Sequence, residues 1–398
     1  MTRTTKGNHV VSRIGLALIH LSAVLGLLLA SCTAPTPSPT AEAVIEVTST
    51  PTLTPTPEVL EEASLPTDEI DVLMNKIVDQ APLAGVALGI QFKDEFYTQG
   101  YGFADLAAGT PVTRQTVFKI ASLTKAITAA AILRLSDEGK LGLDDPISRF
   151  LLVTPDLARD IRVRHLLNHT SGLPDWSIDA AQEALPENFT TAQAVEYYFS
   201  TVEKLDFEPG QTWSYNNLGY FLLGAIIEQV SGMQYDEYFR MTFFEPLALN
   251  SLGECPSQSN LLATGYHAAD EEFEVARPSN LKLGGAAGAL CSNVGDLLSW
   301  QVALTHGSIL RPDLWELMIT PEKLSNGRLL DYGFGVSVQQ SDYGLAIMHE
   351  GATAGFNSFF VYYPEHDLNI VLLTNTDGFD SHLRAISSLV ASKLLRAQ

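Results

Sequence analysis

Positive charge is scarce in this chain of 398 residues: 24 lysines and arginines stand against 46 aspartates and glutamates, a formal net charge of -22. No basic run offsets that balance locally, which excludes nucleic acid as a partner, because neutralising phosphates takes clustered Lys and Arg. Long apolar runs are missing too. The stretch from Ile14 to Ala30 is broken by His20 and Ser22 and falls short of the about twenty apolar residues that span a bilayer. There is no Gly-x-Ser-x-Gly elbow, and no Lys-Ser or Lys-Thr follows the glycine run at 284–288. Those two absences remove the α/β-hydrolase and phosphate-loop readings. His165 and His169 are spaced like two helical metal ligands, yet the acid that a zinc hydrolase needs between them is absent, so capping or structural roles are expected, with no metal and no cofactor. What is present, 46% hydrophobic and only 18% charged residues, is the composition of a chain that buries a core.

Cysteine is also rare, with only Cys32, Cys255 and Cys291. Arg3, Lys6 and Arg13 precede the apolar stretch, which ends Leu29-Ala30-Ser31-Cys32. A basic start, an apolar middle and small residues at the end read as a signal peptide over 1–31. The last four residues resemble a bacterial lipoprotein signal, so Cys32 is expected to become the lipidated first residue. Residues 32–64 carry Pro35, Pro37, Pro39, Pro51, Pro55 and Pro57 among threonines and cannot build a core. As an extended tether the Pro/Thr-rich part reaches roughly 80 Å at about 3.1 Å per residue. The expected location is therefore extracytoplasmic, at a bacterial cell surface or in a periplasm, with the membrane as partner through a lipid anchor. Cys255 and Cys291 remain as an even pair in an exported protein, and a disulfide between them is expected.

The remainder, 65–398, is long enough for one large domain or two intertwined ones. Ala84 to Phe92 and Glu95 to Phe103 read as a hairpin around Lys93-Asp94; Phe356 to Tyr363 and Leu368 to Thr374 read as a second, around 364–367. Helical patterns fill the middle: 121–138, 163–168, 192–199, 218–230 and 294–304. Helices between terminal strands predict an α/β fold: one antiparallel sheet built from both chain ends and flanked by helices, plus a mainly helical subdomain.

One charge interrupts the apolar stretch from Ile120 to Leu133: Ala121-Ser122-Leu123-Thr124-Lys125-Ala126. Residues three apart on a helix share a face, so the Ser122 hydroxyl and the Lys125 amine can meet. Desolvation by the surrounding alanines and leucines would lower the lysine pKa and let it accept the serine proton. A serine cap with an exposed lysine gives the same spacing, so two further segments carry weight. Trp213-Ser214-Tyr215-Asn216-Asn217 precedes an apolar helix, and His349-Glu350-Gly351-Ala352 ends a strand pattern where glycine allows close approach of a ligand to the backbone.

In that order these segments resemble the serine β-lactamase and penicillin-binding-protein superfamily, in particular its class C β-lactamase, DD-peptidase and esterase branch. Arg164 to Pro174, containing Asn168-His169-Thr170-Ser171-Gly172, and the glycine-rich Gly284 to Ser292 extend the likeness over about Asp71 to the C-terminus. The resemblance implies Ser122 as acylated nucleophile, Lys125 as its proton acceptor, Tyr215 as second proton relay and Asn217 as a substrate-amide ligand. His349, Gly351 and Ala352 would line the substrate strand, the backbone amides of Ser122 and Ala352 forming an oxyanion hole. Ser214-Tyr215-Asn216 also fits the Ser-x-Asn pattern of other branches, a competing assignment. The third motif departs from the Lys-Thr-Gly of class C β-lactamases. Its His-Glu-Gly form also occurs in DD-peptidases, D-amino-acid peptidases and esterases. Recognition of a substrate carboxylate by His349 would then vary with pH, favoured by Glu350 if it faces the ring. The reading implied is a serine hydrolase acting through an acyl-serine on small-molecule or peptide amides and esters, with D-amino-acid cell-wall peptides or small esters as substrates. A β-lactamase and a non-catalytic penicillin- or peptidoglycan-binding protein of the same fold are the alternatives.

Overall fold

The computed structural model describes residues 65–256, 259–269, 272–277, 280–378 and 380–396. The expected signal peptide, Cys32 and the Pro/Thr-rich tether lie outside them. Among the described residues no helix is long and apolar enough to cross a membrane.

A helix α1 (Thr67–Gln80) leads into the first hairpin, β1 (Gly85–Phe92) and β2 (Glu95–Asp105), followed by β3 (Thr110–Pro111) and β4 (Phe118–Lys119). A single 3-10 turn, Ala121–Leu123, then runs into α2 (Thr124–Asp137). The middle holds α3 (Val163–Leu167), α4 (Thr191–Thr201), α5 (Asn217–Ser231) and other short helices, with the small strands β5 (Gly253–Glu254), β6 (Tyr266–Ala269), β7 (Glu272–Val275) and β8 (Leu290–Ser292). After α6 (Val294–Thr305) come β9 (Ser337–Ser341), β10 (Gly344–Thr353), β11 (Phe356–Tyr363) and β12 (Leu368–Thr374), and α7 (Asp380–Leu395).

The main sheet has the order β3-β2-β1-β12-β11-β10-β9, with antiparallel pairing throughout. The first and last strands of the chain are thus neighbours at its centre, Ile90 opposite Ile370, as the two hairpins at the chain ends imply. Residues of β1, β11 and β12 are buried throughout, which requires cover on both faces. Strand parity sorts them. Val86, Leu88, Phe359, Val361, Ile370 and Leu372 face the terminal helices, through Ile70 and Met74 of α1 and Leu383 and Val390 of α7. Ala87, Phe360, Val371 and Leu373 face the inserted helices. The terminal helices carry no residue of the three motifs; they cover the sheet face away from α2.

The inserted region is anchored by the two helices that bear the motifs. α2 is buried along nearly its whole length and α5 from Leu218 to Ile227, because alanines and glycines let them lie deep in the core. Gly224 of α5 faces Ala286, where a Cβ would come within 2.6 Å of the alanine methyl. That close packing brings the glycine-rich segment onto α2.

Candidate active site

Ser122 lies in the 3-10 turn between β4 and α2, one turn before Lys125. The turn is pinned from two strands. Ile120 N–H donates to the Leu290 carbonyl at 3.0 Å, and Ser358 of β11 donates its hydroxyl to the Ile120 carbonyl at 2.7 Å. Ala121, directly before the serine, has φ 46°, a left-handed conformation that costs an alanine about 1–2 kcal/mol and that the surrounding contacts hold in place.

Lys125 is 0% exposed. Its Nζ donates to Ser122 Oγ at 3.0 Å, Asn217 Oδ1 at 2.9 Å and the Ala287 carbonyl at 2.9 Å, which uses all three protons of an ammonium. The rings of Tyr215 and Tyr220 lie 4.8 and 5.6 Å from the nitrogen. Burial nevertheless dominates and brings the Lys125 pKa down to about 7, with Asp175 opposing it. When the third proton leaves, Asn217 Oδ1 and Ala287 O can only accept. They retain the two remaining N–H groups, and the lone pair is left facing Ser122 Oγ.

Tyr215 sits just before α5, its pKa raised by burial and lowered in part by the nearby Ser122. Asn217 opens α5 and Asn216 caps it, accepting from Gly219 N–H at 2.6 Å. The other end of the Asn216 amide donates to the Leu173 carbonyl at 2.8 Å. Asn216 is 4% exposed and its side chain is spent on the fold, which disfavours the competing Ser214-x-Asn216 assignment. The motif's exposed amide is that of Asn217.

His349, Gly351 and Ala352 lie on β10. β9 pairs with β10 only from Gly344 to Met348, so β9 leaves the His349–Thr353 edge open beside Ser122. Gly351 is required there: a Cβ would stand 2.6 Å from the Ile120 carbonyl and 3.1 Å from Ser122 N, and would also collide with Ser358 Oγ. One expectation is corrected at this strand. His349 is buried, its Nδ1 lies 2.7 Å from the Glu350 carbonyl and its Nε2 2.9 Å from the Tyr332 hydroxyl. Desolvation, reinforced by Lys125, pushes its pKa down to about 3. The ring is neutral throughout pH 5–8, so it does not supply the pH-dependent cation expected for a substrate carboxylate. Glu350 meets it through a backbone carbonyl.

Cys255 and Cys291 are disulfide-bonded, and Cys291 on β8 pairs with Lys119 of β4, one strand from the serine turn. His165 accepts from Arg162 N–H at 3.2 Å, a capping role. His169 accepts from Asn216 N–H at 3.2 Å and packs against Tyr215, Tyr220 and Tyr332, with ring centroids 4.5, 5.2 and 4.9 Å away. Both histidines thus take capping or structural roles. Trp213, Tyr215, Tyr332, Met348, His349 and Glu350 line part of a cleft of about 270 Å³. Tyr332, the Ala287 carbonyl and Asp175 were not legible as site residues, since none lies in a motif whose residue type demands chemistry.

A sheet built from both chain ends, with a buried lysine one turn beyond a serine and a strand edge beside it, defines a serine hydrolase of the β-lactamase and penicillin-binding-protein superfamily. Residues 70–393 match the Beta-lactamase family, and the chain belongs to it. The chain is 28% identical to "Penicillin-binding protein 4*" of Bacillus subtilis (strain 168), over 80% of this chain and 73% of that protein. It is 30% identical to "Esterase EstB" of Burkholderia gladioli, over 55% of this chain and 59% of that esterase. The D-amino acid amidase of Ochrobactrum anthropi SV3 superposes with a TM-score of 0.70 at 25% identity, covering 83% of this chain and 99% of the amidase.

Proposed function

We propose that the protein is a lipid-tethered, extracytoplasmic enzyme that cleaves D-amino-acid cell-wall peptides or small esters through an acylated Ser122. The observation that carries this reading is the buried Lys125 amine, donating to Ser122 Oγ at 3.0 Å with its other two protons committed elsewhere. Oγ bonds to the substrate carbonyl carbon while its proton passes to Nζ. The carbonyl oxygen takes up negative charge, held by the backbone N–H groups of Ser122 and Ala352; loss of one such donor typically costs about a hundredfold in rate. Collapse breaks the C–N or C–O bond, and the leaving group receives a proton from Lys125 through the Tyr215 hydroxyl. Asn217, His349 and Gly351 hold the substrate along the β10 edge. Water then attacks the acyl carbon and releases the acid, restoring the serine. A neutral His349 where class C β-lactamases carry lysine supports peptidase or esterase activity over β-lactam hydrolysis.

The test incubates purified protein and Ser122→Ala with a fluorescent penicillin and p-nitrophenyl butyrate, following intact mass and product. Turnover or a mass increase dependent on Ser122 is expected; its absence makes the protein a non-catalytic binder. A long-lived adduct points to a peptidase, rapid penicillin release to a β-lactamase. For the anchor, palmitate incorporation in a bacterial host and its loss in Cys32→Ser are expected; an unlabelled wild type rejects it.

A further inference from the structure

The loop that follows α3 places an acid at the start of α5. Asp175 Oδ1 accepts from Leu218 N–H at 2.9 Å and from Trp176 N–H at 3.1 Å. Its Oδ2 accepts from Asn217 N–H at 3.2 Å and from the Asn217 side-chain Nδ2 at 3.3 Å. With Asn216 taking Gly219 N–H, side chains satisfy the first three amides of α5, where a helix leaves its N–H groups without intrahelical partners. The contact with Nδ2 has a consequence beyond capping. An amide has one donor end and one acceptor end. With Asp175 on the donor end, the acceptor end Oδ1 faces Lys125 at 2.9 Å. The reverse orientation would set an oxygen against a carboxylate and an NH₂ against an amine that donates. Four contacts also occupy the usual acceptor capacity of a carboxylate, which argues against Asp175 as a direct ligand for a substrate amine.

We propose that Asp175 is a positioning residue for the Ser122–Lys125 pair: it fixes the Asn217 amide so that its oxygen holds the Lys125 amine in place, and it sets a fixed negative charge behind that amine. This rests on the function proposed above and goes further, because it names the group that sets the poise of the base. The groups facing Lys125 are Ser122 from the 3-10 turn, Tyr215 and Tyr220 around the start of α5, His169 from the loop after α3, and His349 from β10. Burial holds both histidines neutral and both phenols protonated. Asp175 is the carboxylate whose charge favours the protonated amine, against the larger effect of burial.

The test compares wild type with Asp175→Asn and Asp175→Ala. The titration of Lys125 is followed directly by NMR of the 13Cε-lysine-labelled protein, and kcat/KM for p-nitrophenyl butyrate is measured against pH. Removing the charge is expected to move the Lys125 midpoint, and with it the acid limb of kcat/KM, to lower pH by about half a unit. Asp175→Ala should also lower the plateau about tenfold or more through the loosened amide, and the double variant with Asn217→Ala should be no worse than Asn217→Ala alone. An unchanged Lys125 midpoint in Asp175→Asn, with only a lower Tm, reduces Asp175 to a helix cap and overturns the proposal. The NMR midpoint needs no turnover, so a wild type without Ser122-dependent activity would reject the functional reading while the role of Asp175 is still decided. Asp175→Asn keeps one of the two accepting oxygens that cap α5 and serves if Asp175→Ala does not fold.

Discussion

The Tyr332 hydroxyl donates to Nε2 of His349 across 2.9 Å. The opposite ring nitrogen faces the Glu350 carbonyl at 2.7 Å. A carbonyl carries no proton, so Nδ1 holds the hydrogen, and Nε2 of the neutral ring must accept. Protonation would require the Tyr332 hydroxyl to turn and accept, and would set a second cation beside Lys125 in a buried site. The ratio of kcat/KM for free-acid and amide forms of one D-alanyl dipeptide is therefore expected to stay flat between pH 5.5 and 8. A ratio rising towards acid with a midpoint near 6.5 would restore a cationic His349. The same depression, from 6.5 to about 3, contributes stability that is present above pH 6.5 and is lost as pH falls towards 3. His349→Asn should flatten the fall of Tm across that window.

Lys125 makes the opposite kinetic demand. Its pKa, lowered to about 7 by burial, leaves the amine neutral on the alkaline side, where it can take the Ser122 proton. kcat/KM for p-nitrophenyl butyrate should rise through pH 7 and level off above it. Lys125→Arg keeps the charge but cannot release a proton, and a loss of about a thousandfold is expected. A pH profile without an inflection between 6 and 8 would show that another group is the base.

The Cys255–Cys291 bond closes a segment with a sequence separation of 36. Its loss through paired Cys→Ser substitution is expected to lower unfolding free energy by roughly 3 to 4 kcal/mol in the chain-entropy account. Because β8 pairs with β4, which leads into the serine turn, reduction by dithiothreitol should slow Ser122 acylation before global unfolding. Urea melts and acylation rates in matched oxidised and reduced samples measure both effects.

The sequence made the covalent chemistry legible because its residue types are rare in their settings. Lys125 is the lone charge in the apolar stretch from Ile120 to Leu133, and the hairpins at each end carry strand patterns. The terminal helices escaped because α1 and α7 lie outside the motifs, and their role is to cover a face whose burial only the strand order reveals. Asp175 and Tyr332 escaped for a different reason. They act through what they touch, and a touch between positions 175 and 217, or 332 and 349, leaves no mark in local spacing. His349 shows the converse: its residue type suggested a titrating switch, and burial removes the titration.

Gly351 offers a stringent test of how closely β10 passes the serine turn. A methyl group there collides with the Ser358 hydroxyl and meets the Ile120 carbonyl at 2.6 Å and Ser122 N at 3.1 Å; the hydroxyl can turn aside, but the two backbone atoms cannot. Gly351→Ala should cost about 1–3 kcal/mol through overpacking and at least a hundredfold in acylation, because it displaces the amide proposed to hold the oxyanion. An acylation rate within threefold of wild type would mean that the strand can retreat without consequence.

The two assignments of the second motif separate experimentally because their residues do different work. Asn216 spends both ends of its amide on the fold, at 2.6 Å to Gly219 and 2.8 Å to Leu173, so Asn216→Ala should lower stability by about 1–2 kcal/mol as a lost cap. Tyr215 lies close to Ser122, with the Lys125 amine over its ring. Replacing it by phenylalanine preserves the ring that packs on His169 at 4.5 Å and removes only the hydroxyl of the proposed proton path. Tyr215→Phe is thus expected to keep its Tm and lose about a hundredfold or more in kcat, with the larger loss for amides, whose leaving nitrogen needs the proton more than an activated phenolate does. Ser214→Ala should be nearly silent in both measurements. A crippled Ser214→Ala beside a fully active Tyr215→Phe would transfer the relay to the serine and would require the Asn216 cap to open during turnover.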